Sequence, residues 1–98
     1  MSQDREMHDR QAAVYGITVA AGLVGTGVQN LRAYERAGLV DPYRTGGGTR
    51  LYSQEDIERL GEVQVLLRRG LNLVGIAMVF ELREDNERLR RQLSDLDP

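Results

Sequence analysis

The 98-residue chain contains no cysteine and a single histidine, His8. Without cysteine there are no disulfides, no thiolate-bound zinc and no thiol chemistry, and the expected location is the cytoplasm. One histidine cannot build a multi-His metal site, and its place in a polar N-terminal stretch gives no expectation of a Ser-His triad. No metal, no cofactor and no enzymatic activity are therefore expected. A membrane-length apolar run is also missing. The longest uncharged stretch, residues 11–31, is interrupted by glycines and polar side chains. The acidic, polar start MSQDRE lacks the marks of a secretory signal. Lysine is absent too, so all 13 basic residues are arginine. A GC-rich genome explains that bias, which also suits bidentate phosphate contacts.

What is present fits one small globular domain, at 11.0 kDa and 41% hydrophobic residues. The net charge of −2 argues against nucleic acid until it is divided along the chain. Residues 27–53 hold Arg32, Arg36, Arg44 and Arg50 against Glu35 and Asp41, a local excess of two positive charges. Residues 54–98 hold ten acids and seven bases, so the basic excess is confined to one stretch.

Glycine and proline punctuate the remainder. Residues 1–13 show no apolar period and read as a disordered tail. Val14 to Ile17 is a short apolar lead-in, and Thr18 is placed to cap a helix running through Leu23. Gly25 and Gly27 mark a turn before a second helix, Val28 to Ala37, closed by Gly38 as a left-handed cap. Two short helices across a glycine turn make a helix-turn-helix candidate. Pro42 forbids further helix. Tyr43–Thr45 and Thr49–Tyr52, flanking Gly46–Gly48, then read as a β-hairpin. Ser53 with Asp56 forms a weak capping box for a helix whose stripe is Ile57, Leu60, Val63 and Leu66/Leu67. Gly70 stops that helix and Asn72 caps another, with Leu73, Ile76, Ala77 and Phe80 inward.

No glycine or proline interrupts the chain between Gly75 and Pro98. There Val79, Leu82, Asn86, Leu89, Leu93 and Leu96 alternate between a and d positions of a heptad. This predicts a seam for a partner helix, with Asn86 able to set its register. Gly25-Thr-Gly27 followed by Asn30 is a defective dinucleotide fingerprint without a βαβ context. The Gly46–Gly48 run lacks the Lys-Ser/Thr of a phosphate loop, and a hairpin tip explains it better.

The run LRAYERAGLV at residues 31–40, followed by Pro42, Arg44, Arg50, Tyr52 and Ser53, resembles the winged-helix DNA-binding domain of MerR-family transcription regulators. Residues 70–76, GLNLVGI, resemble the family's second wing and following helix. More narrowly, ITVAA at 17–21, RTGGG at 44–48 and NLVGI at 72–76 are similar to the HspR branch, repressors of chaperone genes. The resemblance spans roughly Tyr15 to Leu82.

It implies a mainly α fold: a winged helix-turn-helix with a small β-hairpin wing and a C-terminal dimerisation helix. The expected division is a tail at 1–13, the DNA-binding domain at 14–81 and the dimerisation helix at 82–98. A helix beginning near Gly27 fits the major groove, where the amides of Gln29 and Asn30 can read adenine and Thr26 adds a phosphate or base contact. The family pattern implies that Arg32 and Tyr34 grip the backbone. It also implies that Arg50 and Tyr52 hold flanking phosphates, helped by Arg44 and Thr49. Core packing with only the hydroxyl exposed is the competing reading for both tyrosines. Leu51 stands where family members often carry arginine.

The implied partners are double-stranded DNA bearing an inverted repeat, a second copy in an antiparallel homodimer, and a DnaK-type chaperone acting as co-repressor. A chain ending at Pro98 leaves no room for an effector domain, and indirect sensing through a chaperone suits such a chain. Repression from the nucleoid, with no membrane association, completes the expectation. Two rivals remain: a winged helix that binds protein, and a short architectural DNA binder assembling head to tail. The basic excess at 27–53 favours DNA over the first, and the seam at 79–96 favours the dimer over the second.

Overall fold

The computed structural model describes residues 10–96. In chain order it comprises β1 (Ala13–Gly16), α1 (Ile17–Val24), α2 (Val28–Arg36), β2 (Tyr43–Arg44), β3 (Arg50–Ser53), α3 (Gln54–Arg68) and α4 (Leu73–Leu96). The fold is mainly helical, with a small antiparallel sheet of order β1-β3-β2. Tyr15 faces Tyr52 across β1 and β3, and Arg44 faces Arg50 across β2 and β3.

The strand β1 corrects the expected tail. Residues 10–13 are ordered into the domain: the Arg10 carbonyl accepts from the Glu55 N–H at 3.0 Å, the Arg10 guanidinium pairs with Glu58, and Ala13 begins the strand. Its pairing partner lies some forty residues away, so nothing local in the sequence announces it. Residues 1–9, including His8, and residues 97–98 lie outside the described residues.

The helix starts divide between local capping and tertiary support. Ser53 Oγ accepts from the Asp56 N–H at 3.0 Å and the Asp56 carboxylate accepts from the Ser53 N–H at 3.0 Å, so the capping box is complete. Asn72 Oδ1 accepts from the Gly75 N–H at 2.8 Å, as its position predicts. Thr18 caps nothing. It is exposed inside the first turn of α1, whose N-cap is Gly16 and makes no side-chain bond. The chain leaves α1 through Gly25 at φ 84°, a left-handed conformation that side chains with a Cβ resist. Gly38 at φ 78° ends the α2 segment in the same way.

One core joins these elements. Leu31, Leu39, Leu60, Val63, Ile76 and Tyr52 are fully buried, with Ala20, Ala21, Tyr34, Val40, Ile57, Leu66 and Phe80 completing the cluster. Arg59 ties three segments together at its edge. Its Nε donates to the Leu39 carbonyl at 2.6 Å, its guanidinium lies 4.3 Å from the Phe80 ring centroid, and Nη1 is 3.5 Å from a Glu84 carboxylate oxygen. A second pair, Arg83 with Glu62, closes the α3–α4 contact.

The helix α4 runs unbroken for 24 residues, about 36 Å at 1.5 Å per residue. The expected division at residue 82 is therefore a change of surroundings within one helix. Ile76 and Phe80 sit in the core, whereas Leu82 and nearly every residue beyond it are exposed.

Leu60→Ala should lower unfolding stability by about 2–5 kcal/mol, through lost burial and the cavity left behind. Ser53→Ala should cost about 1 kcal/mol through the lost cap. Thr18→Ala, which removes no cap, should change stability by less than about 0.5 kcal/mol. Urea unfolding of the three variants checks this ranking.

Candidate nucleic-acid interface

Helical spacing puts Leu31 and Tyr34 on the buried side of α2 and Gln29, Arg32, Ala33 and Arg36 on the opposite side. Gln29, Asn30, Arg32 and Arg36 are exposed, and the two arginines make no ion pair among the described residues. Asn30 is only partly free. Its Nδ2 donates to Thr26 Oγ1 at 2.7 Å, which ties Thr26 to the first turn and leaves the Asn30 amide oxygen without a hydrogen-bond partner among the described residues. Arg36 entered the sequence reading only as a positive charge, although its position seven residues after Gln29 puts it on the same face.

Beside this face stands the hairpin β2–β3. Its tip is closed by the Gly48 N–H donating to the Thr45 carbonyl at 2.9 Å and the Thr49 N–H donating to Thr45 Oγ1 at 3.2 Å. Thr49 is exposed there. Arg44 and Arg50 both turn back toward α2. Glu35 Oε2 accepts from Arg44 Nη2 at 2.6 Å, and Glu35 Oε1 accepts from Arg50 Nε at 2.5 Å. One carboxylate on the helix thus holds both strands of the wing. Glu35 entered the sequence reading only as a negative charge in a basic stretch, because a contact between helix and hairpin leaves no periodic signal.

Both tyrosines are in the core. Tyr34 is 4% exposed, and its hydroxyl accepts from Gln64 Nε2 at 2.9 Å. Tyr52 is 0% exposed, and its hydroxyl is buried without a hydrogen-bond partner in the structure. In this conformation Tyr52 packs in the core, the competing reading for that residue. Burial raises the pKa of its phenol, reinforced by the nearby Glu35 charge. Leu51, the adjacent departure from the family pattern, is half-buried.

The distal half of α4 carries a second surface. Leu82, Leu89, Leu93 and Leu96 are exposed, as the heptad reading requires, and Asn86 is exposed near them. Val79 differs, since it packs partly against its own core. Val74 and Met78, absent from the sequence reading, extend the strip in the N-terminal direction at 71% and 58% exposure. Steps of three, four and seven residues keep Val74, Met78, Leu82, Leu89, Leu93 and Leu96 on one side, away from Ile76 and Phe80.

A helix-turn-helix with a wing fixed beside its second helix defines a winged-helix module, and the comparisons supply its family. The model for MerR HTH family regulatory proteins matches residues 15–82. The chain belongs to that family. It is 46% identical over 84 residues to the putative heat shock protein HspR of Streptomyces coelicolor, covering 85% of this chain and 56% of that protein. It is 36% identical over 85 residues to the transcriptional regulator GlnR of Bacillus cereus, covering 87% of this chain and 63% of GlnR. The chain thus spans less than two thirds of the length of these relatives. Among solved structures, the fold is shared with the lead(II) complex of the regulator PbrR691 from Ralstonia metallidurans, at TM-score 0.69 and 23% identity over 85% of this chain and 77% of that one. It is also shared with HiNmlR, a MerR family regulator lacking the sensor domain, bound to promoter DNA, at TM-score 0.62 and 23% identity over 84% and 74% of the two chains. No helix among the described residues is long and apolar enough to cross a membrane.

Burial by itself raises the Glu35 pKa, but the hydrogen bonds and charges of Arg50 and Arg44 outweigh it and hold the carboxyl below its ordinary 4.5. A depressed folded-state pKa adds stability that is complete above the unfolded value and is lost as pH falls through the folded one. The gap in urea midpoint between wild type and Glu35→Gln should therefore be constant from pH 7 to about 5. It should shrink below pH 4.5. A gap unchanged down to pH 3 would contradict the ion-pair account.

Proposed function

We propose that this protein is a sequence-specific regulator that binds double-stranded DNA, represses stress or chaperone genes, and acts as a homodimer on an inverted repeat. The observation that carries the reading is the exposed polar face of α2 with the arginine-bearing wing held beside it. In this reading α2 enters the major groove. Gln29 and the unpaired amide oxygen of Asn30 face base edges, and Thr26 orients Asn30. Arg32, Arg36, Arg44, Thr49 and Arg50 meet phosphates on either side, while Tyr34 and Tyr52 shape the scaffold beneath them. The similarity to a putative heat shock protein supports the choice of target genes. A DnaK-type chaperone as co-repressor and action at the nucleoid belong to the same proposal.

The apolar strip on α4 supports the dimer. Pairing α4 with a second copy would remove an exposed row of leucines, and a two-fold axis would present two recognition helices to successive major grooves. The family resemblance favours an antiparallel pairing. A cleft or metal cluster that could seat an effector is not part of this reading, so DNA affinity should survive dialysis against a chelator.

About four to eight phosphate contacts per dimer should make log affinity fall by slightly under one unit per contact per decade of salt. Arg50→Ala should weaken binding to all duplexes, whereas Gln29→Ala should relax preference at particular base pairs. Salt-titrated anisotropy on selected and random duplexes separates these outcomes. Leu89→Asp should convert dimers to monomers and cut affinity for an inverted repeat, although the winged domain stays folded. Sedimentation at tens of micromolar reads the first effect. A wild type that sediments as a monomer yet binds DNA cooperatively would instead support head-to-tail assembly.

A further inference from the structure

We infer that Glu35 is a positioning residue for DNA binding, aiming the wing arginines Arg44 and Arg50 at the phosphates beside the recognition helix. The inference rests on the DNA-binding reading above and goes further, because it assigns a favourable role to an acid that faces a polyanion.

The geometry is specific. Glu35 engages Arg50 through Nε, so both terminal amino groups of that guanidinium lie outside the pair. It engages Arg44 through Nη2, while Nη1 lies 3.5 Å from the Gly48 carbonyl at the wing tip. A guanidinium is planar with five N–H donors in a fixed fork, so holding one edge sets the direction of the other. The Glu35 side chain is 18% exposed and that of Arg50 26%, which limits screening by solvent on this side of the pair. Arg44, at 47%, stands further out. Two long side chains that would otherwise sample many rotamers are thus ordered before DNA arrives, and less ordering remains to oppose binding.

Charge alone predicts the reverse. Removing an acid from a basic, DNA-facing stretch raises affinity for phosphate through simple electrostatics. Positioning predicts that affinity falls when Glu35 is neutralised. The sign of the effect therefore separates the two accounts.

The test uses the full chain, a duplex selected by wild type from a random pool, and a random duplex of equal length. Affinity is measured from 50 to 300 mM salt for wild type, Glu35→Gln and Glu35→Ala, each referred to its folded fraction by circular dichroism. Glu35→Gln keeps the shape and one acceptor, so it remains informative if Glu35→Ala folds poorly. Both changes should weaken binding to both duplexes, by roughly fivefold to twentyfold for alanine. The log-log salt slope should become shallower by about one to two, with the ratio of selected to random affinity nearly unchanged. In an Arg44→Ala/Arg50→Ala background, Glu35→Gln should lose its effect. Equal or tighter binding by Glu35→Gln, or a loss that persists without the two arginines, would overturn the proposal and leave DNA binding standing. Wild type with no salt-dependent duplex binding would overturn both.

Discussion

The paired ion bridges from Glu35 to Arg44 and Arg50 are the constraint on which the arrangement of the exposed surface depends. The base of the hairpin is fixed by the pairing of β3 with β1 and by the buried Tyr52, but β2 has only two residues, both exposed, and the tip is glycine-rich, so packing does little to fix the direction of the outer arm. Exposed ion pairs usually contribute little to stability. This one is better sheltered, because Glu35 is mostly buried and serves two arginines, and it links elements far apart in sequence. Its main consequence is geometrical. The wing and α2 become one surface, with the tip of one set against the exposed face of the other.

Beneath that surface, the core explains why two tyrosines and one arginine serve structure. Tyr52 fills the fully buried centre of β3, and Tyr34 is held to α3 through Gln64. Arg59 reaches from α3 to the carbonyl of Leu39 just after α2, and across Phe80 to α4. The first turns of α4 are thereby fixed to the DNA-binding unit. The remainder of the same helix departs from it, with an apolar strip facing outward. A rigid helix anchored at one end and unpartnered at the other is the element by which two domains can be set at a defined separation.

Much of this was legible because the signals are local. Ser53 with Asp56 names a capping box, Gly38 a left-handed ending, Asn72 a cap, and the absence of breakers after Gly75 a long helix. The run from Leu31 to Val40 carries its resemblance within ten residues. What was not legible depends on partners distant in the chain. The strand β1 exists because β3 lies beside it, and Glu35 matters because a hairpin folds back over α2. Strand alternation says that Leu51 and Tyr52 point to opposite faces without saying which face is inward, so Tyr52 could be read as a wing contact. The heptad beginning at Val79 drew attention from Val74 and Met78, which share the outer strip, and placed in the seam a valine that partly serves the core.

The central claim is that α2 and the wing act together as one DNA-binding surface. Two-dimensional NMR of the labelled protein, titrated with a duplex selected from a random pool, tests it most directly. The account predicts that the largest shifts fall in two segments, Thr26 to Arg36 and Thr45 to Arg50, moving together at the same DNA concentration. The strip from Leu82 to Leu96 should change little. Perturbation centred on α4, or on α2 while the wing stays silent, would contradict it.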